Sequence, residues 1–367
     1  MKLISLRTPN RSVQIVAAVL IGALGGAAFA YFRLPLPWMT GAATLTTICA
    51  LCGAPLQLPK MLRAGMASIL GVMLGSAFLP GTLDHLPQWS GSLAGLLVYV
   101  ILGGGIVLWY VRSVRGYPPV TSFFSATPGG FLEMVLLAEN YRADVRTVAL
   151  MHSVRIFLTV FTIPIWFRFT QGYEPSATGL PAHLGAGLTA QEGLVLLACA
   201  VFGYWGGVKL RIPAPFLLGP MLLSAVLHLT GVTHTSPPGV VVALAQIVIG
   251  TSVGCRFTGY SIKTVFRTLI SGAVAAIILL VLAAGFAMGL GPLTGIPWQV
   301  LLLAFAPGGL AEMSLVSFAM GIDPALVSSH HLVRIIFIVI LTPLAFRVLR
   351  RWMGSLNATV DERSDVR

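Results

Sequence analysis

Charge is what this sequence has least of. Asp, Glu, Lys and Arg make up 9% of its 367 residues, against roughly 25% in a soluble globular domain. Acid is scarcest, with 11 Asp and Glu against 23 Lys and Arg. Long polar stretches are also missing. The longest are a central one from about Gln171 to Gln191 and a tail from about Ser355 to Arg367, so no soluble domain is evident. There are four cysteines, Cys49, Cys52, Cys199 and Cys255. Cys49 and Cys52 have Cys-x-x-Cys spacing, but they lie in an apolar segment without neighbouring His or acid. Packing of small residues explains them better than metal or redox chemistry. The chain has no Gly-rich loop ending in lysine of the kind that cradles nucleotide phosphates, which argues against ATP as an energy source. It has neither the His- or carboxylate-rich cluster that redox metals need nor a DNA-binding module. The expectation is a protein that is not an enzyme and that carries no cofactor.

Apolar residues fill the space. They make up 56% of the chain, and the mean hydropathy is +0.90. The first half has apolar segments near 13–32, 37–53, 61–80, 91–112, 119–138 and 146–169. The second half has them near 193–210, 215–232, 240–257, 269–290, 298–318 and 327–346. Most are long enough to span a bilayer as helices. The formal charge of +12 does not indicate nucleic acid, because the basic residues are scattered in short loops between apolar runs, where they orient helices in a membrane. Lys2, Arg7 and Arg11 precede an apolar run ending in Ala28-Phe29-Ala30, which has the form of a signal peptide. However, Gly25, Arg33, Leu34, Pro35 and Pro37 return as Gly203, Arg211, Ile212, Pro213 and Pro215. A segment with a counterpart in mid-chain reads as a structural first transmembrane helix.

That correspondence is part of a duplication, and a duplication fixes architecture before any local feature does. Ser125-Ala126-Thr127-Pro128-Gly129-Gly130-Phe131-Leu132-Glu133-Met134 returns as Ala304-Phe305-Ala306-Pro307-Gly308-Gly309-Leu310-Ala311-Glu312-Met313. At the same offset Asp144 pairs with Asp323, His152 with His331, Arg155 with Arg334, Pro164 with Pro343 and Arg168 with Arg347. The expected organisation is a membrane repeat over 13–170, a linker over 171–191, a second repeat over 192–350 and a polar tail over 351–367.

The basic loops indicate that the repeats are inverted. In the first half they follow the second and fourth segments, at Lys60, Arg63 and at Arg112, Arg115. In the second half they follow the first and third, at Lys209, Arg211 and at Arg256, Lys263, Arg267. Positive loops stay cytoplasmic, so each half crosses an odd number of times and one of its six segments does not cross. The Pro-Gly-Gly segment is the natural candidate, as a re-entrant pair of half-helices. A crossing broken helix combined with another re-entrant segment gives the same parity. The fold class expected is an all-α integral membrane protein with two inverted-topology repeats, about ten crossings and two broken or re-entrant segments. All the Lys and Arg then fall on the cytoplasmic side except Arg33 and Arg168 outside and Arg155 and Arg334 in the membrane. Both termini are cytoplasmic.

The repeated polar residues are the candidate site. The glycines of Pro128-Gly129-Gly130 and Pro307-Gly308-Gly309 permit a sharp turn. The half-helix beginning after each turn presents unsatisfied amides with partial positive charge. In inverted-repeat transporters such ends hold substrate or ions. Glu133 and Glu312 lie in the first turn after each break. They either serve a site, as ionisable residues inside a membrane generally do, or only neutralise their own helix ends. His152 and Arg155, like His331 and Arg334, share a helix face at i,i+3. Buried arginines need partners, and Glu133 and Glu312 are the expected ones, as a gate or as a structural lock. The histidines are candidates for tuning or relaying protons. Helix capping accounts for Asp144 and Asp323. Close helix packing is the favoured account of Gly71-x-x-x-Gly75 and Gly250-x-x-x-Gly254.

At these motifs the chain resembles the membrane AbrB family, in which an AbrB-type membrane domain is duplicated. The resemblance covers about residues 14–350 and rests on both Pro-Gly-Gly-x-x-Glu-Met segments, both His-x-x-Arg segments and the Leu34-Pro35-Leu36-Pro37 and Ile212-Pro213-Ala214-Pro215 runs. Members carry the labels of transcriptional regulator and ammonia monooxygenase, and no motif here supports either label. The domain is similar to cation/proton antiporters and to bile-acid and auxin-type carriers, with inverted repeats and broken helices. The family name is shared with an unrelated small DNA-binding protein that this chain does not resemble. The function expected is secondary transport of a small solute across the bacterial inner membrane, with a lean to an organic anion and coupling to a proton or cation. The alternatives are a membrane sensor that influences gene expression and, behind it, a membrane monooxygenase. The partners expected are a small-molecule substrate and membrane lipid, with a homodimer left open and no nucleic acid.

Overall fold

The computed structural model describes residues 10–34, 36–172, 188–260 and 262–364. Most of the expected linker, at 173–187, lies outside the described residues. Among the described residues the chain forms helices and no strands. The first half runs α1 (Arg11–Tyr31), α2 (Pro37–Leu51), α3 (Lys60–Gly75), α4 (Leu86–Trp109, continued by the π-helical turn Tyr110–Val114), α5 (Pro119–Ala126), α6 (Phe131–Asn140) and α7 (Val145–Gln171). The second runs α8 (Ala190–Lys209), α9 (Pro215–Leu229), α10 (Gly239–Cys255), α11 (Ile262–Thr294), α12 (Trp298–Phe305), α13 (Leu310–Ala319) and α14 (Pro324–Ser364). The last helix continues past residue 350 into the stretch expected as a polar tail.

Among the described residues, six helical stretches are long and apolar enough to cross a membrane: α1, Leu86–Val114, α7, α8, Phe266–Thr294 and Pro324–Val348. The helices α2, α3, α9 and α10 have 15, 16, 15 and 17 residues. At 1.5 Å per residue they span about 22–26 Å, somewhat less than a hydrocarbon core of about 30 Å. Local chemistry sets where two of them begin. Pro37 and Pro215 open α2 and α9, each after a non-glycine residue in the left-handed region, Leu36 at φ 48° and Ala214 at φ 44°. Just upstream, Arg33 (φ 52°) and Arg211 (φ 54°) end α1 and α8. There Leu34 N–H donates to the Phe29 carbonyl and Ile212 N–H to the Gly207 carbonyl, both at 2.9 Å. This is the turn that usually places glycine after a helix.

The halves interlock crosswise. The α3 helix packs on α9, and a Cβ on Gly71 or Gly75 would strike the backbone carbonyl of Leu217 or Met221. The α10 helix packs in the same way on α2, where a Cβ on Gly250 would strike the Met39 carbonyl and one on Gly254 the Thr46 side chain. Hydroxyls seal the first of these contacts. Ser68 Oγ donates to the Phe216 carbonyl and Ser224 Oγ to the Val72 carbonyl, both at 2.8 Å. Without a hydrophobic driving force between helices in lipid, such close backbone approach supplies much of the association energy. Gly71→Leu and Gly250→Leu should therefore lower the thermal unfolding temperature of the detergent-solubilised protein, by overpacking worth about 1–3 kcal/mol. Gly65→Leu on the same α3 helix, where a Cβ meets nothing within 4 Å, should leave it unchanged.

Candidate functional site

Both Pro-Gly-Gly motifs interrupt helices. α5 ends at Ala126 and α6 starts at Phe131; α12 ends at Phe305 and α13 starts at Leu310. Pro128 and Pro307 therefore lie in the breaks themselves. A break frees carbonyls at the end of one half-helix and amides at the start of the next, and in lipid each unsatisfied group costs several kcal/mol.

The freed carbonyls are answered from α7 and α14. His152 Nε2 donates to the Phe124 carbonyl at 2.9 Å, and Arg155 donates from Nη1 to Thr127 at 3.4 Å and from Nη2 to Gly129 at 2.9 Å. In the second half His331 Nε2 donates to the Leu303 carbonyl at 3.0 Å. Arg334 donates from Nη1 to Ala306 and from Nη2 to Gly308, both at 2.6 Å. The i,i+3 spacing of His and Arg sets them one helical turn apart, matching the run of carbonyls they brace. All four side chains are buried. Because each histidine donates through Nε2, its proton sits there, and Nδ1 of both is buried without a partner.

The expected pairing of Arg155 and Arg334 with Glu133 and Glu312 is not the arrangement adopted. Among the described residues both guanidiniums are bonded to backbone carbonyls. The carboxylates instead fold over the N-cap glycines of their own half-helices. A Cβ on Gly130 would meet Glu133 Oε2, and one on Gly309 would meet Glu312 Oε2. At the third position of a helix a carboxylate interacts favourably with the partial positive charge of that helix end. Glu133 also lies within hydrogen-bonding reach of its own amide and of the Ala214 amide, contributed by the left-handed residue that opens α9.

The two helix starts meet. Gly130, Phe131, Glu133 and Ile156 from one half and Gly309, Leu310, Glu312 and Ile335 from the other line a single cavity of about 140 Å³. These are four repeat-related pairs. Arg63, Ala214, Ser252 and Arg256 line the same cavity, and the Arg256 guanidinium sits 3.7 Å from the centre of the Phe131 ring. The cavity thus gathers four of the sequence-derived candidates, Gly130, Glu133, Gly309 and Glu312. His152, Arg155, His331 and Arg334 brace the breaks from behind it. Gly129 and Gly308 pack on Met134 and Met313. Pro128 faces a separate apolar cavity between α4, α5 and α14.

Arg63 and Arg256 were not among the sequence candidates, because at the ends of apolar segments basic residues read as orientation signals; Ser252, within an apolar helix, gave no signal. Asp144 and Asp323 cap α7 and α14. Asp144 Oδ1 accepts from the amides of Arg146 and Thr147, and Asp323 Oδ1 from those of Ala325 and Leu326. Among the described residues no cluster of three or more His, Cys, Asp or Glu side chains is placed to hold a metal ion.

A helical membrane protein with duplicated helix breaks is the class these features define. The chain belongs to the AbrB family: the family model described as Transition state regulatory protein AbrB matches residues 38–350. It is similar to a candidate regulator AbrB of Escherichia coli (strain K12), with 28% identity over 331 residues, covering 90% of this chain and 94% of the relative. It is also similar to the uncharacterized protein YhjN of Bacillus subtilis (strain 168), with 28% identity over 376 residues and 95% of each chain covered.

The bracing geometry makes a prediction that a salt-bridge lock would not. Arg334→Ala orphans the Ala306 and Gly308 carbonyls and should destabilise the protein by about 1–3 kcal/mol for each. Glu312→Gln leaves those bonds in place and forgoes only a helix-end interaction of about 0.3–1 kcal/mol. Thermal unfolding in detergent should rank Arg334→Ala well below Glu312→Gln; a lock would give the two variants equal losses.

Proposed function

We propose that the protein is a secondary transporter of a small solute in the bacterial inner membrane, built from two inverted repeats. The observation that carries this reading is that Gly130, Glu133, Gly309 and Glu312, related in pairs by the duplication, line one cavity. Inverted-repeat transporters place their sites at the repeat interface, where half-helix N-termini face substrate. The six long apolar helices together with α2, α3, α9 and α10 supply ten crossings. In this arrangement the first break enters from the cytoplasmic side and the second from the opposite side. The cavity of about 140 Å³ is smaller than the roughly 300–1,000 Å³ typical of drug-sized ligands, which favours a small solute. An organic anion suits the two helix N-termini and the arginines, and Glu133 and Glu312 are the groups through which a proton or cation would couple.

The regulator name borne by the Escherichia coli relative favours a second reading, a membrane sensor that influences gene expression through a partner protein. Solute flux in liposomes separates the two, since a sensor binds without net transport. On the transport reading, Glu133→Gln and Glu312→Gln each abolish flux while folded protein stays at wild-type level. Normal flux in both variants would reject the roles given to the carboxylates. The inverted arrangement is tested by single-cysteine labelling in a cysteine-free background. The stretches at Lys60–Arg63 and Arg256–Arg267 should both be protected from impermeant reagent in intact cells, and labelling of either one would overturn the inversion.

A further inference from the structure

Four matched pairs line part of the cavity, but neither of its two arginines has a basic counterpart. At the repeat offset Arg63 corresponds to Val242 and Arg256 to Ala77. What the repeat supplies twice is the frame of the site. What it supplies once distinguishes one side of the site from the other. Both arginines also line a second cavity of about 220 Å³, formed with Lys60, Ser252 and the segment from Leu56 to Pro59. The two cavities share Arg63, Ser252 and Arg256. Together they run from a basic outer chamber to the helix breaks. The residues lining the outer chamber include three cations and no acid.

The guanidinium of Arg256 is held but not satisfied. Its Cζ lies over the ring of Phe131, the first residue of α6, while Nε and Nη1 are buried and have no hydrogen-bond partner. The Arg63 side chain makes no hydrogen bond among the described residues. Glu312 lies within electrostatic reach of both arginines, yet no ion pair joins them among the described residues. Glu312 and Glu133 are folded onto Gly309 and Gly130. The carboxylates thus offset the helix ends, and the arginines are left facing the cavity. Buried guanidinium donors without partners are costly, and their fork geometry matches carboxylate and phosphate oxygens.

We propose that Lys60, Arg63 and Arg256 form an oxyanion-binding mouth to the central cavity, which takes the carboxylate or phosphate group of a small soluble solute. This deepens the transport reading, on which its physiological role rests; the binding itself does not depend on transport. The basic-loop pattern places this mouth on the cytoplasmic side.

The test is calorimetric titration of the full-length protein in phosphatidylcholine nanodiscs with acetate, succinate and inorganic phosphate. Saturable binding of at least one of these is expected. Arg63→Gln and Arg256→Gln should each weaken it by about tenfold or more, with Arg112→Gln, a basic control away from the cavity, unchanged. Arg256→Lys keeps the charge but loses the fork, and should fall between wild type and Arg256→Gln. That graded loss separates recognition from misfolding, which thermal unfolding of each variant also monitors. Discs containing phosphatidylglycerol distinguish the source of the oxyanion. Unchanged binding supports a soluble solute, whereas competition that is lost in Arg256→Gln would overturn that assignment in favour of a lipid headgroup. No saturable binding of any of the three probes, or equal binding in folded Arg63→Gln and Arg256→Gln, would overturn the mouth. Arginine-dependent binding without flux of the bound anion would leave the mouth standing and reject the transporter.

Discussion

Breaking a helix inside a bilayer frees backbone groups that no solvent can satisfy, and the rest of this structure is arranged around that constraint. Two breaks occur, at 127–130 and 306–309, and each is repaired from a neighbouring long helix. His152 with Arg155 and His331 with Arg334 place three donors on three carbonyls. An arginine in hydrocarbon is itself costly, at about 2.5–3.5 kcal/mol on insertion scales. Here that cost and the cost of the broken backbone offset each other, which explains why the two features occur together in both halves.

With the carbonyl side repaired, the amide side is free to face a cavity. The glutamates curl over the new helix starts, and the crossed packing of α3 on α9 and α10 on α2 frames the breaks. The absence of side chains at Gly71, Gly75, Gly250 and Gly254 is what lets these helices approach to backbone contact. The result is a small chamber between the halves that combines apolar walls with two carboxylates and two arginines. The non-repeated Arg63 and Arg256 make its two sides unlike.

Much of this was legible in the sequence because duplication marks what the fold cannot do without. The helical membrane character, the glycine contacts and the Asp144 and Asp323 caps followed from composition and spacing. The partners of Arg155 and Arg334 did not. A sequence shows side chains, and carboxylates were the visible candidates, whereas the groups that needed the arginines were carbonyls freed by the break. Arg63 and Arg256 were passed over for a different reason. A basic residue at the end of an apolar segment has the same appearance whether it orients a helix or turns inward toward a cavity. Their lack of a repeat partner was the available signal.

The account turns on the two half-helix starts sharing one cavity. Cysteines placed at Phe131 and Leu310, the first residues of α6 and α13, test this in a cysteine-free background in native membranes. A short bifunctional thiol reagent should join them within one chain, since both line the chamber of about 140 Å³. If each cysteine is modified by monofunctional reagent but the two are never cross-linked, the breaks do not meet and the central claim fails.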